Sequence, residues 1–87
     1  MEYSKLSDDE INNMVGHLVS QRFRTDYCND PGAAWPIIFS NRIGVVPGTA
    51  TDKWAAHYCN WDIAIADTNP LRAAMIVFLM MQESQHA

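Results

Sequence analysis

The sequence has few basic residues and few cysteines, and both shortages exclude classes of function. Its 87 residues include 6 Lys and Arg against 10 Asp and Glu, which gives a net charge of −4. Binding to nucleic acid through the phosphate backbone needs clustered positive charge, so this balance argues against a nucleic-acid partner. Two cysteines, Cys28 and Cys59, are too few for a disulfide scaffold. We therefore expect reduced thiols, as in a cytosolic protein.

Membrane and secretory segments are also missing. The opening residues, MEYSKLSDDE, contain no apolar segment of the kind found in a secretory signal. The longest apolar run, Ala73–Met81, is nine residues long, whereas a membrane span needs about 20. We therefore expect a protein without a membrane partner.

Motifs that carry catalysis or metal binding are absent from the sequence. It contains no G-x-S-x-G, no glycine-rich phosphate loop and no H-E-x-x-H. His57 and Cys59 share one face of a predicted strand, and with Cys28 and one further ligand they would make a zinc site. No C-x-x-C spacing supports that site, and reduced cysteines, at least one of them buried, are the favoured interpretation. We expect no enzyme activity, no metal and no cofactor.

The strongest signal present is the last long segment of the chain. Asn69 is a good helix N-cap, and Pro70 suits the first helical position. Every residue of Ala73–Met81 is apolar, so the helix has no polar face through two and a half turns. Because such a helix must be enclosed on several sides, residues 70–83 are predicted to form the central buried helix of the domain.

Two further helices are predicted from their caps. Ser7 and Glu10 have the spacing of a capping box, which starts an amphipathic helix that we place from about Asp8 to about Gln21. Asp30-Pro31 starts a short helix that reaches about Asn41. Pro36 lies inside this second helix, where proline removes one hydrogen bond. It either kinks the helix or ends it, and we favour the kinked helix.

Three short segments between the helices have the composition of strands. They are Ile43–Val46, Lys53–Cys59 and Ile63–Ala66. Short turns between successive strands favour an antiparallel meander. Both faces of this sheet carry apolar residues, so we expect helices to cover both faces. The prediction is one α+β domain over residues 1–87, with a small three-stranded antiparallel sheet, two or three helices around it and the apolar C-terminal helix at the centre.

Two segments of the chain resemble a known family. Residues 27–47, YCNDPGAAWPIIFSNRIGVVP, and residues 69–87, NPLRAAMIVFLMMQESQHA, resemble the NinX-type small proteins of lambdoid and related enterobacterial phages and prophages. More loosely, the order of elements resembles phage domains of the α-β-α sandwich type. The resemblance implies a phage accessory protein that acts in the host bacterial cytoplasm. It implies no activity and supplies no catalytic residues.

The aromatic residues are the first candidates for a binding site. Trp54 and Tyr58 lie on one face of the second predicted strand, and Trp61 lies in the turn that follows. Trp and Tyr dominate binding hot spots, so these three residues form a candidate site for a protein partner. The competing and favoured interpretation is that Trp35 and Trp54 anchor the core. Trp61 is the best candidate for an exposed ring.

The arginines offer a second candidate site. Arg22, Arg24, Arg42 and Arg72, with the helix starts at Pro31 and Pro70, have the chemistry of an anion site for a nucleotide-like ligand. Arg72 is the residue of most interest, because it lies on an otherwise apolar helix. The favoured interpretation of Arg72 is an ion pair or a surface arginine with a buried stem.

The function expected from these observations is the binding of a host or phage protein without catalysis. The alternative is a protein that sequesters a nucleotide-like anion and so counters host defence signalling. The chain is also a candidate homodimer, because a domain of 87 residues has little structure with which to bury a helix as apolar as Ala73–Met81.

Overall fold

A computed structural model describes residues 2–19, 25–48 and 52–85 of the chain. A single 3₁₀ turn, Tyr3–Lys5, comes first. Helices and strands follow in the order α1 (Asp8–Leu18), α2 (Pro31–Ser40), β1 (Gly44–Pro47), β2 (Trp54–Tyr58), β3 (Ile63–Asp67) and α3 (Pro70–Gln85). This order confirms the predicted α+β class.

The three strands form the predicted antiparallel meander, in the order β1-β2-β3. Ala56, at the centre of β2, pairs with Val45 of β1 and Ile65 of β3. Side chains alternate between the two faces of a sheet, so these three residues point to the same side. The pair Tyr58–Ile63 closes the hairpin between β2 and β3.

Helix α3 lies at the centre of the molecule, as predicted. All three strands pack against it, and so do α1 and α2. Side chains from Ala73 to Leu79 are at most 5% exposed. One chain therefore encloses the apolar helix without a second copy, which removes the reason given above for expecting a homodimer.

Among the residues that the structure describes, helix packs on only one face of the sheet, so the expectation of helices on both faces is wrong. Residues of this inner face belong to the core or pack against it: Val45, Ala56, Tyr58, Ile63 and Ile65. On the opposite face Ala64 and Ala66 are exposed and Val46 is 36% exposed. Alanine exposes little apolar area, so a face rich in alanine tolerates solvent at small cost. The outer sheet face consists of Gly44, Val46, Ala55, His57, Ala64 and Ala66.

The capping box predicted at the start of α1 is present. Ser7 Oγ accepts a hydrogen bond from the Glu10 backbone N–H at 3.1 Å, and the Glu10 carboxylate accepts one from the Ser7 N–H at 3.0 Å. The pair satisfies two backbone donors that the helix itself leaves free. Leu18 ends the helix, and the predicted end at Gln21 lies outside the described residues.

Helix α2 continues through Pro36, as the favoured interpretation requires. The Asp30 carboxylate caps the helix by accepting from the Gly32 N–H at 3.0 Å. After Ser40 the chain turns through Arg42, whose φ of 56° lies in the left-handed region. The Ile43 N–H donates to the Ile38 carbonyl at 3.0 Å. This hydrogen bond closes a six-residue Schellman motif at the end of α2.

Candidate functional site

The turn between β2 and β3 has an unusual backbone. Three successive residues, Cys59, Asn60 and Trp61, have φ values of 56°, 55° and 71°. The left-handed region costs an L-residue other than asparagine roughly 1–2 kcal/mol. The turn is closed by the Asp62 N–H, which donates to the Cys59 carbonyl at 3.2 Å. Backbone strain of this kind persists only where the surrounding structure enforces it, and it clusters at functional sites.

This turn places Trp61 against the outer sheet face. The indole of Trp61 stacks on the imidazole of His57, with ring centroids 4.0 Å apart and planes 23° from parallel. The Trp61 side chain nevertheless remains 52% exposed, so the prediction of an exposed ring is confirmed. In the sequence His57 stands out as a possible metal ligand, whereas its position as the support of this ring becomes visible only in the folded chain.

Gly44 provides the space that the His57 ring occupies. The two residues are directly paired across β1 and β2. A Cβ atom added to Gly44 would lie 2.2 Å from His57 Nε2, closer than any side chain tolerates. The stack of Gly44, His57 and Trp61 is therefore built from three strand and turn positions that depend on one another. No pattern in the sequence reveals the pairing of Gly44 with His57, because it depends on the strand register.

Trp54 and Tyr58 lie on the other side of the sheet from this stack. Tyr58 is half-buried and packs against the core. Trp54 is 37% exposed, at the end of β2, where it pairs with Pro47 and Asp67. The structure thus separates both residues from Trp61, and of the three predicted aromatic site residues it places only Trp61 at the outer sheet face.

A second exposed aromatic pair lies on α2. Trp35 is 60% exposed and Phe39 is 71% exposed, and their ring centroids are 6.1 Å apart. The expectation that Trp35 and Trp54 anchor the core is therefore wrong. Helix α2 buries Ala34, Ile37 and Ile38, and Trp35 lies outside the arc that these three residues cover. The spacing of Trp35 and Phe39, four apart on a helix, is the sequence signal that would have identified the pair.

Arg72 joins four parts of the chain. Its Nη1 atom donates to Asp8 at 2.7 Å and its Nε atom to Asp67 at 3.1 Å. Its Nη2 atom donates to the carbonyls of Ser4 and Leu6, at 3.1 and 2.6 Å. Burial would lower the pKa of Arg72, but its hydrogen bonds and charge interactions with the two aspartates outweigh burial and raise it. The favoured interpretation of Arg72 as a partner in ion pairs is confirmed.

Around Arg72 the first turns of α1 and α3 meet the segment that leads into α2. Asn29, just before α2, donates to Asp8 at 3.2 Å, and Asn69, the cap of α3, donates to the Asn29 side-chain oxygen at 3.0 Å. The side-chain oxygen of Asn69 in turn accepts from the backbone N–H groups of Leu71 and Arg72. Acidic residues suit the positive ends of helix dipoles, so this cluster has a structural explanation.

The structure does not bring Arg42 and Arg72 together. Arg72 contacts Asp8 beside the start of α2, whereas Arg42 is exposed beyond the end of that helix. Ten helical residues correspond to a separation of roughly 15 Å. The other two arginines of the predicted anion site, Arg22 and Arg24, lie outside the described residues.

Two clefts that described residues line lack the lining of an anion site. One, of about 320 Å³, lies between α1 and α3 and is lined by Tyr3, Met14, His17, Leu18, Leu79, Gln82 and Glu83. The other, of about 310 Å³, is lined by Val19, Tyr27, Ala33, Pro36, Ile37, Ser40 and Asn41. Specific anion pockets need convergent positive groups, and these lining residues include no arginine or lysine.

The cysteines do not form a metal centre with the residues that the structure describes. Cys28 is buried and Cys59 is exposed. Burial raises the pKa of the Cys28 thiol to about 12, with a further contribution from the Asp8 carboxylate. A thiol with so high a pKa is a poor nucleophile and a poor metal ligand at neutral pH. Within residues 2–19, 25–48 and 52–85, no three His, Cys, Asp or Glu side chains are grouped to hold a metal ion.

Comparison with known families matches most of the chain. The family described as Bacteriophage P22, NinX matches residues 17–82, about three quarters of the chain. Comparison with curated proteins and with solved structures gives no match. Of the helices in the described part of the chain, none has the length and apolar character to cross a membrane.

Proposed function

The chain belongs to the family described as Bacteriophage P22, NinX, and from that premise we propose a phage accessory protein that binds a host or phage protein through its outer sheet face. The proposed place of action is the cytoplasm of the host bacterium. Binding is the whole of the proposed activity, with no chemical step.

The observation that carries this proposal is the Trp61 ring on the outer sheet face. Trp61 is half exposed, yet its position is fixed by the stack on His57 and by a strained turn. A fixed aromatic ring loses little conformational freedom when a partner covers it, and Trp is the residue most enriched in binding hot spots. The ring therefore has the exposure and the rigidity of an anchor for a protein partner.

The shape of the face supports a partner helix with bulky aliphatic side chains. Small residues, Ala55, Ala64 and Ala66, leave the face flat beside Trp61. The outer strands of a three-stranded sheet lie about 10 Å apart, which is also the diameter of a helix with its side chains. On the inner face a single helix, α3, already covers all three strands. A partner helix on the outer face would repeat that packing on the other side.

The geometry does not favour the anion-binding alternative. Arg72 uses all three of its guanidinium nitrogens on protein partners, and its side chain is 12% exposed. A ligand phosphate would have to displace Asp8 or Asp67 to reach it. We therefore base the proposed function on the aromatic site.

The test is capture from extracts of phage-infected cells with matched tryptophan variants. Trp61→Ala removes the proposed anchor, and Trp35→Ala removes another exposed tryptophan, which lies on α2. We expect the wild type and Trp35→Ala to retain a specific protein, and Trp61→Ala to lose it by a factor of ten or more. Equal retention by all three, with circular dichroism showing equal folding, would contradict the proposal.

A further inference from the structure

We infer that α2 is the contact helix of a weak, antiparallel, two-fold dimer of this chain. Trp35 and Phe39 are 60% and 71% exposed and lie side by side on this helix. Scattered exposed apolar residues are ordinary, but two adjacent rings of this size form a patch. This patch lies on a different element from the outer sheet face, so the inference goes beyond the proposed function.

The shape of the exposed helix face is self-complementary. Three small residues, Gly32, Pro36 and Ser40, are exposed and recur at a spacing of four, which places them in a row along the helix. Trp35 and Phe39 form a bulky row beside it. Small residues let two helices approach closely, and the bulky rows of two copies then pack against each other. Each copy thus supplies both the row of small residues and the rings that another copy needs.

Charge sets the direction of the pairing. Asp30 is exposed at the start of α2, and Arg42 is exposed just beyond its end. An antiparallel pair centred near Pro36 places Asp30 of each copy opposite the Arg42 of its partner. The two helix dipoles then point in opposite directions, which is the favourable arrangement. A parallel pair would place like charges together at both ends. Because one two-fold axis satisfies both contacts, the pairing is closed and stops at two copies.

The available area indicates a weak dimer. Aromatic side chains bury about 150–250 Å² each, so the exposed parts of the two rings amount to roughly 250 Å² per copy. Neighbouring residues of α2 add to this, but the total stays below the roughly 800 Å² per partner of a standard stable interface. We therefore expect a reversible dimer with a dissociation constant of roughly 10–100 µM.

The dimer leaves the outer sheet face free. Trp35 and Phe39 belong to α2, whereas Trp61 belongs to the turn between β2 and β3 and stacks on His57 of the outer sheet face. Trp61 of each copy therefore stays accessible, and the dimer presents two copies of the proposed partner site. A partner with two matching sites would bind such a dimer more tightly than a monomer.

Sedimentation velocity from 1 to 300 µM tests the dimer. We expect a concentration-dependent shift from monomer to dimer for the wild type and for Trp61→Ala. We expect at least a tenfold weaker dimer for Trp35→Ala/Phe39→Ala. Arg42→Glu changes an exposed residue outside the helix, so it provides a second test if the double variant does not fold. We expect Arg42→Glu to weaken the dimer about threefold or more at low salt. A wild type that stays monomeric throughout, or a dimer unaffected by these changes, would overturn the inference.

Disulfide trapping tests the direction of the pairing in a Cys59→Ser background. Antiparallel pairing brings Gly32→Cys of one copy close to Ser40→Cys of the other, so an equimolar mixture of the two variants should form heterodimers upon oxidation. Each variant alone should crosslink several times more slowly. Faster crosslinking of Ser40→Cys with itself would overturn the antiparallel arrangement. Loss of partner capture in Trp61→Ala leaves these outcomes unchanged, so the two proposals fail separately.

Discussion

At the scale of single residues, the sequence marks Arg72 as unusual but does not identify both of its ion-pair partners. Its position on an apolar helix marks it in the sequence, and an ion pair was the favoured interpretation. Its partners are 64 and 5 residues away in the chain, at Asp8 and Asp67. The first of these separations could not be read from periodicity, because it depends on how α1 and α3 meet.

Replacing Arg72 tests how much its hydrogen bonds and ion pairs stabilise the fold. Arg72→Ala leaves two carboxylates and two backbone carbonyls without their donor, and we expect a loss of about 2–4 kcal/mol in the free energy of unfolding. Arg72→Lys keeps the charge but not the planar fork, and we expect it to recover about half of the loss. Urea denaturation measures both. Equal stability of Arg72→Lys and the wild type would show that charge alone suffices.

Gly44 is the residue on which the Trp61 site depends. Gly44→Ala places a Cβ atom 2.2 Å from His57 Nε2, so the imidazole must move and the stack with Trp61 must change. We expect a loss of about 1–3 kcal/mol and altered ring-current shifts for the His57 and Trp61 protons. Gly16→Ala is the matched control, because its Cβ would meet Tyr27 at an ordinary 3.8 Å. Unchanged ring-current shifts in Gly44→Ala would contradict the proposed packing.

The buried Cys28 thiol makes stability depend on alkaline pH. Its pKa is raised to about 12 from a model-compound value of 9.0, so the folded protein keeps a proton that the unfolded chain loses first. Stability from this group is complete below about pH 9 and falls as the pH rises toward 12, by at most about 1.4 kcal/mol per pH unit. Tyr3, whose pKa is also raised to about 12, contributes only above about pH 10.

Urea denaturation between pH 8 and pH 10 measures this slope. The variant Cys28→Ala should show little loss of stability between pH 9 and pH 10, whereas the wild type should lose up to about 1 kcal/mol. Cys59→Ala is the control, since its thiol is exposed. The same slope in all three proteins would place the alkaline sensitivity elsewhere.

At the scale of elements, the caps made the helices predictable. Ser7, Asp30 and Asn69 each accept a backbone N–H in the first turn of a helix, and each is recognisable in the sequence. The exposure of whole faces was less predictable. The alanines of β3 were predicted to be buried because they are apolar. Their side chains are so small that exposing them to solvent costs little free energy. For α2, the sequence showed the apolar residues but not which of them face α3.

The end of α2 offers a test of element-level strain. Arg42 occupies the left-handed position of the Schellman motif, where glycine has no steric penalty. We expect Arg42→Gly to raise the free energy of unfolding by about 0.5–1 kcal/mol. The backbone strain that glycine removes from the folded state should exceed the cost of the extra conformational entropy that it gives the unfolded chain. Urea denaturation at 1 µM protein keeps the dimer contact out of the measurement. Arg42→Ala is the control and should be neutral or slightly destabilising; a destabilised Arg42→Gly would contradict this assignment.

At the scale of the whole molecule, three exposed aromatic residues lie on two separate surfaces of the described chain. Trp61 lies on the outer sheet face, and Trp35 and Phe39 lie on α2. Folding does not need these rings in the core, because α3 is already enclosed by the sheet, α1 and α2. The large aromatic content that the sequence shows is therefore divided between folding and exposed surface in a way that only the packing of elements reveals.

The central claim is that one chain encloses α3 and so leaves its aromatic surfaces for partners. Amide hydrogen exchange of residues 73–79, compared between 5 µM and 300 µM protein and with Trp35→Ala/Phe39→Ala, tests it most directly. We expect these amides to exchange only through global unfolding in the monomer as well as in the dimer, with protection that matches the stability from urea denaturation. Protection that disappears when the protein is diluted, or in the double variant while the fold persists, would contradict it.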